Sequence, residues 1–104
     1  MVTAVSVKSL AARWHRASVH VAWRTASEVD VLGFNLYRSV GSGPFRKVNL
    51  ALLEAKRSGT ARGAAYRLAD GRVARDKTYT YRLQVVDRRG GRSWHTIGAA
   101  AVRA

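Results

Sequence analysis

The chain has no cysteine, one proline and only six acidic residues among its 104. The missing cysteine excludes a disulfide scaffold, thiol catalysis and any zinc site built on thiolates. The scarcity of carboxylate leaves a thin supply for acid–base chemistry, and no two are placed as a catalytic pair. Long apolar runs are missing too. The uncharged stretch 97–102 falls far short of the ~20 residues that span a bilayer. Lys8 stands among the first ten residues with no apolar h-region behind it, so no signal peptide is legible.

What is abundant is positive charge. Nineteen Lys and Arg, fifteen of them arginine, give a net charge of +13. Such an excess attracts polyanions, whether nucleic acid, sulfated glycan, lipopolysaccharide or anionic lipid. The same excess follows from a coding bias that turns solvated lysines into arginines, or from a module cut away from acidic neighbours. With 47% apolar residues the chain has material for a core and reads as one ordinary domain, residues 1–104, with no linker or repeat.

The apolar residues alternate. In residues 17–25 (ASVHVAWRT), Val19, Val21 and Trp23 stand on one face against Ser18, His20, Ala22 and Arg24 on the other. That period of two, rich in β-branched and aromatic residues, marks a half-buried strand. Phe34 and Leu36 continue the pattern until Gly41-Ser42-Gly43-Pro44 turns the chain, and Phe45 to Asn49 resumes it as the second arm of a hairpin. Tyr66 and Leu68 form a fourth alternating pair, and residues 77–87 form the longest run, with Tyr79, Tyr81, Leu83 and Val85 in phase. A first strand is expected within residues 3–13, around Val5, Val7 and Leu10, and a last one over residues 93–102. Only residues 50–57 (LALLEAKR) have helical character, ended by Gly59. Six or seven short strands with frequent turns predict an all-β, immunoglobulin-like sandwich of about seven antiparallel strands, with one short helical turn near residues 50–57.

Several of these residues carry a family resemblance. Val19-x-Val21-x-Trp23, then Glu28, then Gly33-Phe34-Asn35-Leu36-Tyr37-Arg38 resembles the B strand, B–C loop and C strand of a fibronectin type III domain. The likeness continues through Tyr66-Arg67-Leu68-Ala69-Asp70 and Val73 to Tyr79-Thr80-Tyr81-Arg82-Leu83, and is strongest to the bacterial branch found in multi-modular secreted and surface proteins. It implies that Tyr79 is a tyrosine corner, its hydroxyl bonded to the chain upstream. Trp23, Phe34, Tyr79, Leu83 and Glu28 become the expected structural anchors. The adhesion tripeptide Arg-Gly-Asp is absent: the F–G turn reads Asp87-Arg88-Arg89-Gly90-Gly91-Arg92.

No catalytic motif accompanies the fold. His15, His20 and His95 lack the spacing of a metal site, and no nucleophile elbow or phosphate loop is present. No cofactor is expected. Glu28 is read as a loop anchor paired with Arg38 or Arg82, and Asp70 before Gly71 as an Asx turn. Arg88, Arg89 and Arg92 with Trp94 and Trp14 are the candidate ligand contacts, since an aromatic beside arginine can stack on a sugar or base. Trp14 is expected in a turn before the first alternating strand, and Trp94 either binds or packs on Tyr37. Arg24 and Arg67 are expected on one outer sheet face.

The expected function is a non-catalytic spacer or interaction module of a larger protein, with a neighbouring module or protein as partner. The alternative is a polyanion-binding module using the basic F–G turn. The resemblance implies a secreted or surface location, the charge favours a monomer, and the short uncharged runs predict no integral membrane segment.

Overall fold

Strand β2 (Ser18–Thr25) shows how the sequence pattern becomes structure. Val19, Val21 and Trp23 are buried while Ala22 and Arg24 between them stay exposed, so one face packs and the other meets water. The computed structural model describes residues 7–95 and 100–103. Within these residues the other strands are β1 (Val7–His15), β3 (Val31–Val40), β4 (Arg46–Lys47), β5 (Leu53–Glu54), β6 (Ala65–Asp70), β7 (Thr78–Asp87), β8 (Arg92–Trp94) and β9 (Ala100–Arg103).

They form two antiparallel sheets. One is β1-β2-β6. In the other, β3 pairs with β7, β4 and β5 share the outer edge of β3, and β8 and β9 share the outer edge of β7. Shared edges reduce the nine segments to seven strand positions, the number the alternation predicts. The inner faces meet in a core of Val7, Val19, Val21, Trp23, Val31, Phe34, Leu36, Tyr66, Tyr79, Tyr81, Leu83 and Val85. At its centre Trp23 stacks on Tyr66 with ring centroids 5.5 Å apart, and Phe34 meets both rings edge-on. Sheet-on-sheet packing of this kind is a β-sandwich.

Three local expectations are corrected. Residues 50–57 are not helical: Leu53 and Glu54 pair with Phe34 and Gly33 of β3. Their helix propensity loses to tertiary partners. Ala55 N–H bonds to the Leu32 carbonyl, Lys56 N–H to the Tyr66 hydroxyl and Arg57 N–H to the Glu28 carboxylate, all within 2.9 Å. Gly33 permits the approach, since a Cβ there would lie 2.6 Å from the Leu53 carbonyl oxygen.

Trp14 is not in a turn. Strand β1 runs on to His15, Trp14 pairs with Val19, and its ring packs against the core. The reversal comes two residues later, at Arg16 (φ 51°) and Ala17 (φ 66°), joining His15 to Ser18. Two consecutive left-handed residues are the geometry of a type I′ hairpin turn, where Asn and Gly are preferred. That turn chemistry was missing from the sequence, which hid the hairpin.

The last strand is divided into β8 and β9. Residues 96–99, including the expected strand position Ile97, lie outside the described residues, as does Val5.

Candidate functional site

Two buried carboxylates hold the sandwich together, and Glu28 does not use the arginine side chain that the sequence suggests. Glu28, fully buried in the β2–β3 loop, takes hydrogen bonds from Thr25 Oγ1 (2.7 Å), Arg57 N–H (2.8 Å) and the Tyr66 hydroxyl (2.5 Å). Its backbone also bonds to Thr60 and Gly59. The expected arginine is absent from this set, because Arg38 lies elsewhere and Arg82 points out of the other sheet. Carboxylate and phenol share one proton-donating contact. Burial, followed by that bond, pushes the Tyr66 pKa up to about 12.

Asp70 is the arginine's partner. At the end of β6 it accepts Nη1 of Arg38 at 2.7 and 2.9 Å and the Tyr81 hydroxyl at 2.8 Å. Arg72 N–H also bonds its Oδ1 at 3.1 Å, which is the expected Asx turn. Burial, then the Asp70 bond, raises the Tyr81 pKa. Close by, the Tyr79 hydroxyl accepts Ala74 N–H at 2.7 Å, the geometry of a tyrosine corner. Since Arg38 stands opposite Tyr81 on the inner face, it is far along the strand from the Asp87–Arg92 turn.

The outer face of the larger sheet carries the aromatics. Tyr37 and Trp94 meet edge-on with centroids 4.9 Å apart, and the Arg82 guanidinium lies 4.2 Å above Trp94 and 5.1 Å from Phe45. Beside them Asn35, Asn49 and Gln84 are hydrogen-bonded in a chain, to which Arg92 adds a bond to Gln84 at 3.1 Å. Trp94 is therefore half-buried within a packed Arg–aromatic stack.

In the β7–β8 turn, Arg88, Arg89 and Arg92 are all exposed. Asp87 folds beneath them and accepts the backbone N–H groups of Arg89 and Gly91. The side chains diverge: Arg88 lies over Gly59, whereas Arg92 leans onto Gln84.

Arg24 and Arg67 do share the outer face of the β1-β2-β6 sheet. The structure adds residues to that face that the sequence reading left apart. With β1 extended, Arg13 faces His20, and the His15 and His20 rings are 5.6 Å apart. Arg13, His15, His20 and Arg67 surround an open basin of about 550 Å3 whose floor includes Ala11 and Ala22. Among the described residues, no three metal-ligating side chains come together. His95 is buried, and neither ring nitrogen has a hydrogen-bond partner among the described residues; burial lowers its pKa.

No family model matches the sequence, and none of the curated proteins is similar to it by sequence. Solved structures are similar in fold. A Fn3-like protein from Clostridium thermocellum superposes with a TM-score of 0.66 at 19% identity, over 97% of this chain and 94% of that one. The pectate lyase PelI from Erwinia chrysanthemi, solved in complex with tetragalacturonic acid, superposes with a TM-score of 0.65 at 16% identity. That match covers 92% of this chain but 28% of the lyase.

Proposed function

We propose, from the fibronectin type III fold that this chain has, that it is a non-catalytic module of a larger secreted or surface protein, spacing or docking its neighbours. The observation that carries this reading is that the same fold occurs as about a quarter (28%) of a larger chain, the pectate lyase. The chemistry of the buried groups agrees. Glu28, Asp70, Tyr66, Tyr79 and Tyr81 spend their polar atoms on one another, on backbone, or on Thr25 and Arg38, so their roles are structural. An antibody against the domain, applied to fractionated source cells, tests this. The expected band lies well above 11.4 kDa and is extracellular or surface-bound; an 11.4 kDa band in the cytosol overturns the reading.

A second reading, binding of polyanions through the β7–β8 turn, is supported by the joint exposure of Arg88, Arg89 and Arg92. The salt dependence of heparin and DNA binding by Arg89→Ser/Arg92→Ser tests it.

A further inference from the structure

We propose that the outer face of the β1-β2-β6 sheet binds a linear carboxylated polysaccharide. The strand registers place three arginines on this face at successive levels. Arg13 is level with His20, Arg67 with Ala22, and Arg24 two residues further along β2. Each level is about 7 Å from the next along the strand direction. The arginines alternate between β1, β6 and β2, so they make a staggered row rather than a point cluster.

Between them the surface is low. Ala11, Ala22, Ala65 and Ala69 are all exposed on this face, a use of alanine that strand propensity does not favour. Short side chains leave the guanidinium groups standing above an open floor, and the basin beside Arg13 and Arg67 is the result. The charge of the face is uncompensated. The six carboxylates are Glu28, Asp30, Glu54, Asp70, Asp76 and Asp87. Five lie in loops or on the other sheet, and Asp70 turns inward to Arg38.

The same composition selects among anions. A surface that stacks single-stranded bases needs aromatic platforms, and the rings that the described residues place on this face are imidazoles. A membrane-seeking surface needs large apolar groups to insert, and a protein hot spot needs buried aromatic anchors; this face offers alanine. A linear sugar chain bearing regularly spaced carboxylates requires neither. It requires planar, forked donors at intervals along a flat track, and arginine pairs with carboxylate in two parallel hydrogen bonds.

The test uses fluorescently labelled polygalacturonate fragments and their methyl-esterified counterparts, with anisotropy read at near-physiological salt. Two double variants remove equal charge: Arg13→Ser/Arg67→Ser on the sheet face and Arg88→Ser/Arg89→Ser on the turn. All four arginines are exposed, so unchanged thermal midpoints will show that both variants fold. The expected result is binding of the acid form but not the ester, weakened about tenfold by the sheet-face variant and little by the turn variant. Equal losses in both variants overturn the proposal, because net charge then accounts for the binding. Tighter binding of a single-stranded oligonucleotide or of anionic vesicles by the same face also overturns it, as does the absence of polygalacturonate binding.

Discussion

Arg38 and Asp70 belong to different sheets, and Nη1 of the arginine lies 2.7 Å from Oδ2 of the aspartate. The pair closes one end of the sandwich, with Asp70 only 2% exposed and the Tyr81 hydroxyl on the same carboxylate oxygen. Asp70→Ala would leave a guanidinium and a phenol without their acceptor inside the protein. The expected cost is about 3–5 kcal/mol, the range for breaking a buried ion pair by removing one member. Urea unfolding measures it, and an unshifted midpoint would show that the pair holds nothing.

Glu28 is a second anchor of a different kind, since it is bonded to neutral donors only. Glu28→Ala strands the Tyr66 hydroxyl and the Arg57 N–H, while the Thr25 hydroxyl keeps only its longer bond to the Ala64 carbonyl. A loss of about 1–3 kcal/mol is expected for each donor that water cannot reach. Adding Thr25→Val should recover none of it, because Tyr66 and Arg57 remain unpaired and the Ala64 N–H loses its acceptor. Thermal denaturation of the two single variants and the double variant checks this coupling.

The tyrosine corner predicts a smaller effect. Tyr79→Phe keeps the ring in the core but removes the acceptor for Ala74 N–H. The expected destabilisation is about 1–3 kcal/mol. Hydrogen exchange at the Ala74 amide should accelerate in the variant; exchange at the wild-type rate would mean that the hydroxyl protects nothing.

Stability should fall at both pH extremes for reasons that separate cleanly. Burial lowers the His95 pKa from 6.5, so between that value and the lower folded one the unfolded chain binds more protons. Its contribution is therefore intact above pH 6.5 and is lost as the pH drops below it. In a His95→Leu variant the midpoint should lose this part of its acid dependence. Tyr66 behaves in the opposite sense. Its pKa is raised from 10.0 to about 12, so stability is full below pH 10 and lost as the pH climbs toward 12. Phenolate absorbance in an alkaline titration should rise together with unfolding.

One substitution should stabilise the protein. Ala17 holds φ at 66° in the β1–β2 turn, where an L side chain is strained. Ala17→Gly relieves the strain at an exposed position, and a gain of about 1 kcal/mol is expected. A lower melting temperature for the variant would contradict the turn geometry.

The alternation of Val19-Val21-Trp23, Phe34-Leu36 and Tyr79-Tyr81-Leu83-Val85 was enough to determine an all-β sandwich and its inner face. A period of two fixes which side chains point together before any strand has found its neighbour. The Asp70-Gly71 turn was legible for the same reason, being local, whereas the Tyr79 corner was implied by the family resemblance. What the sequence alone left open were relationships across strands. Residues 50–57 look helical in isolation and become a sheet edge because Tyr66, Glu28 and Leu32 claim their backbone groups. Glu28 found donors rather than an arginine, and Arg38 found Asp70, because inter-sheet distance decides among partners that sequence separation cannot rank. The row of Arg13, Arg67 and Arg24 exists only through the registers of β1 and β6 on β2. The Arg16-Ala17 turn sets the register of β1, whereas that of β6 rests on burial of the opposite face, so the row belongs to the folded sheet and not to any one segment.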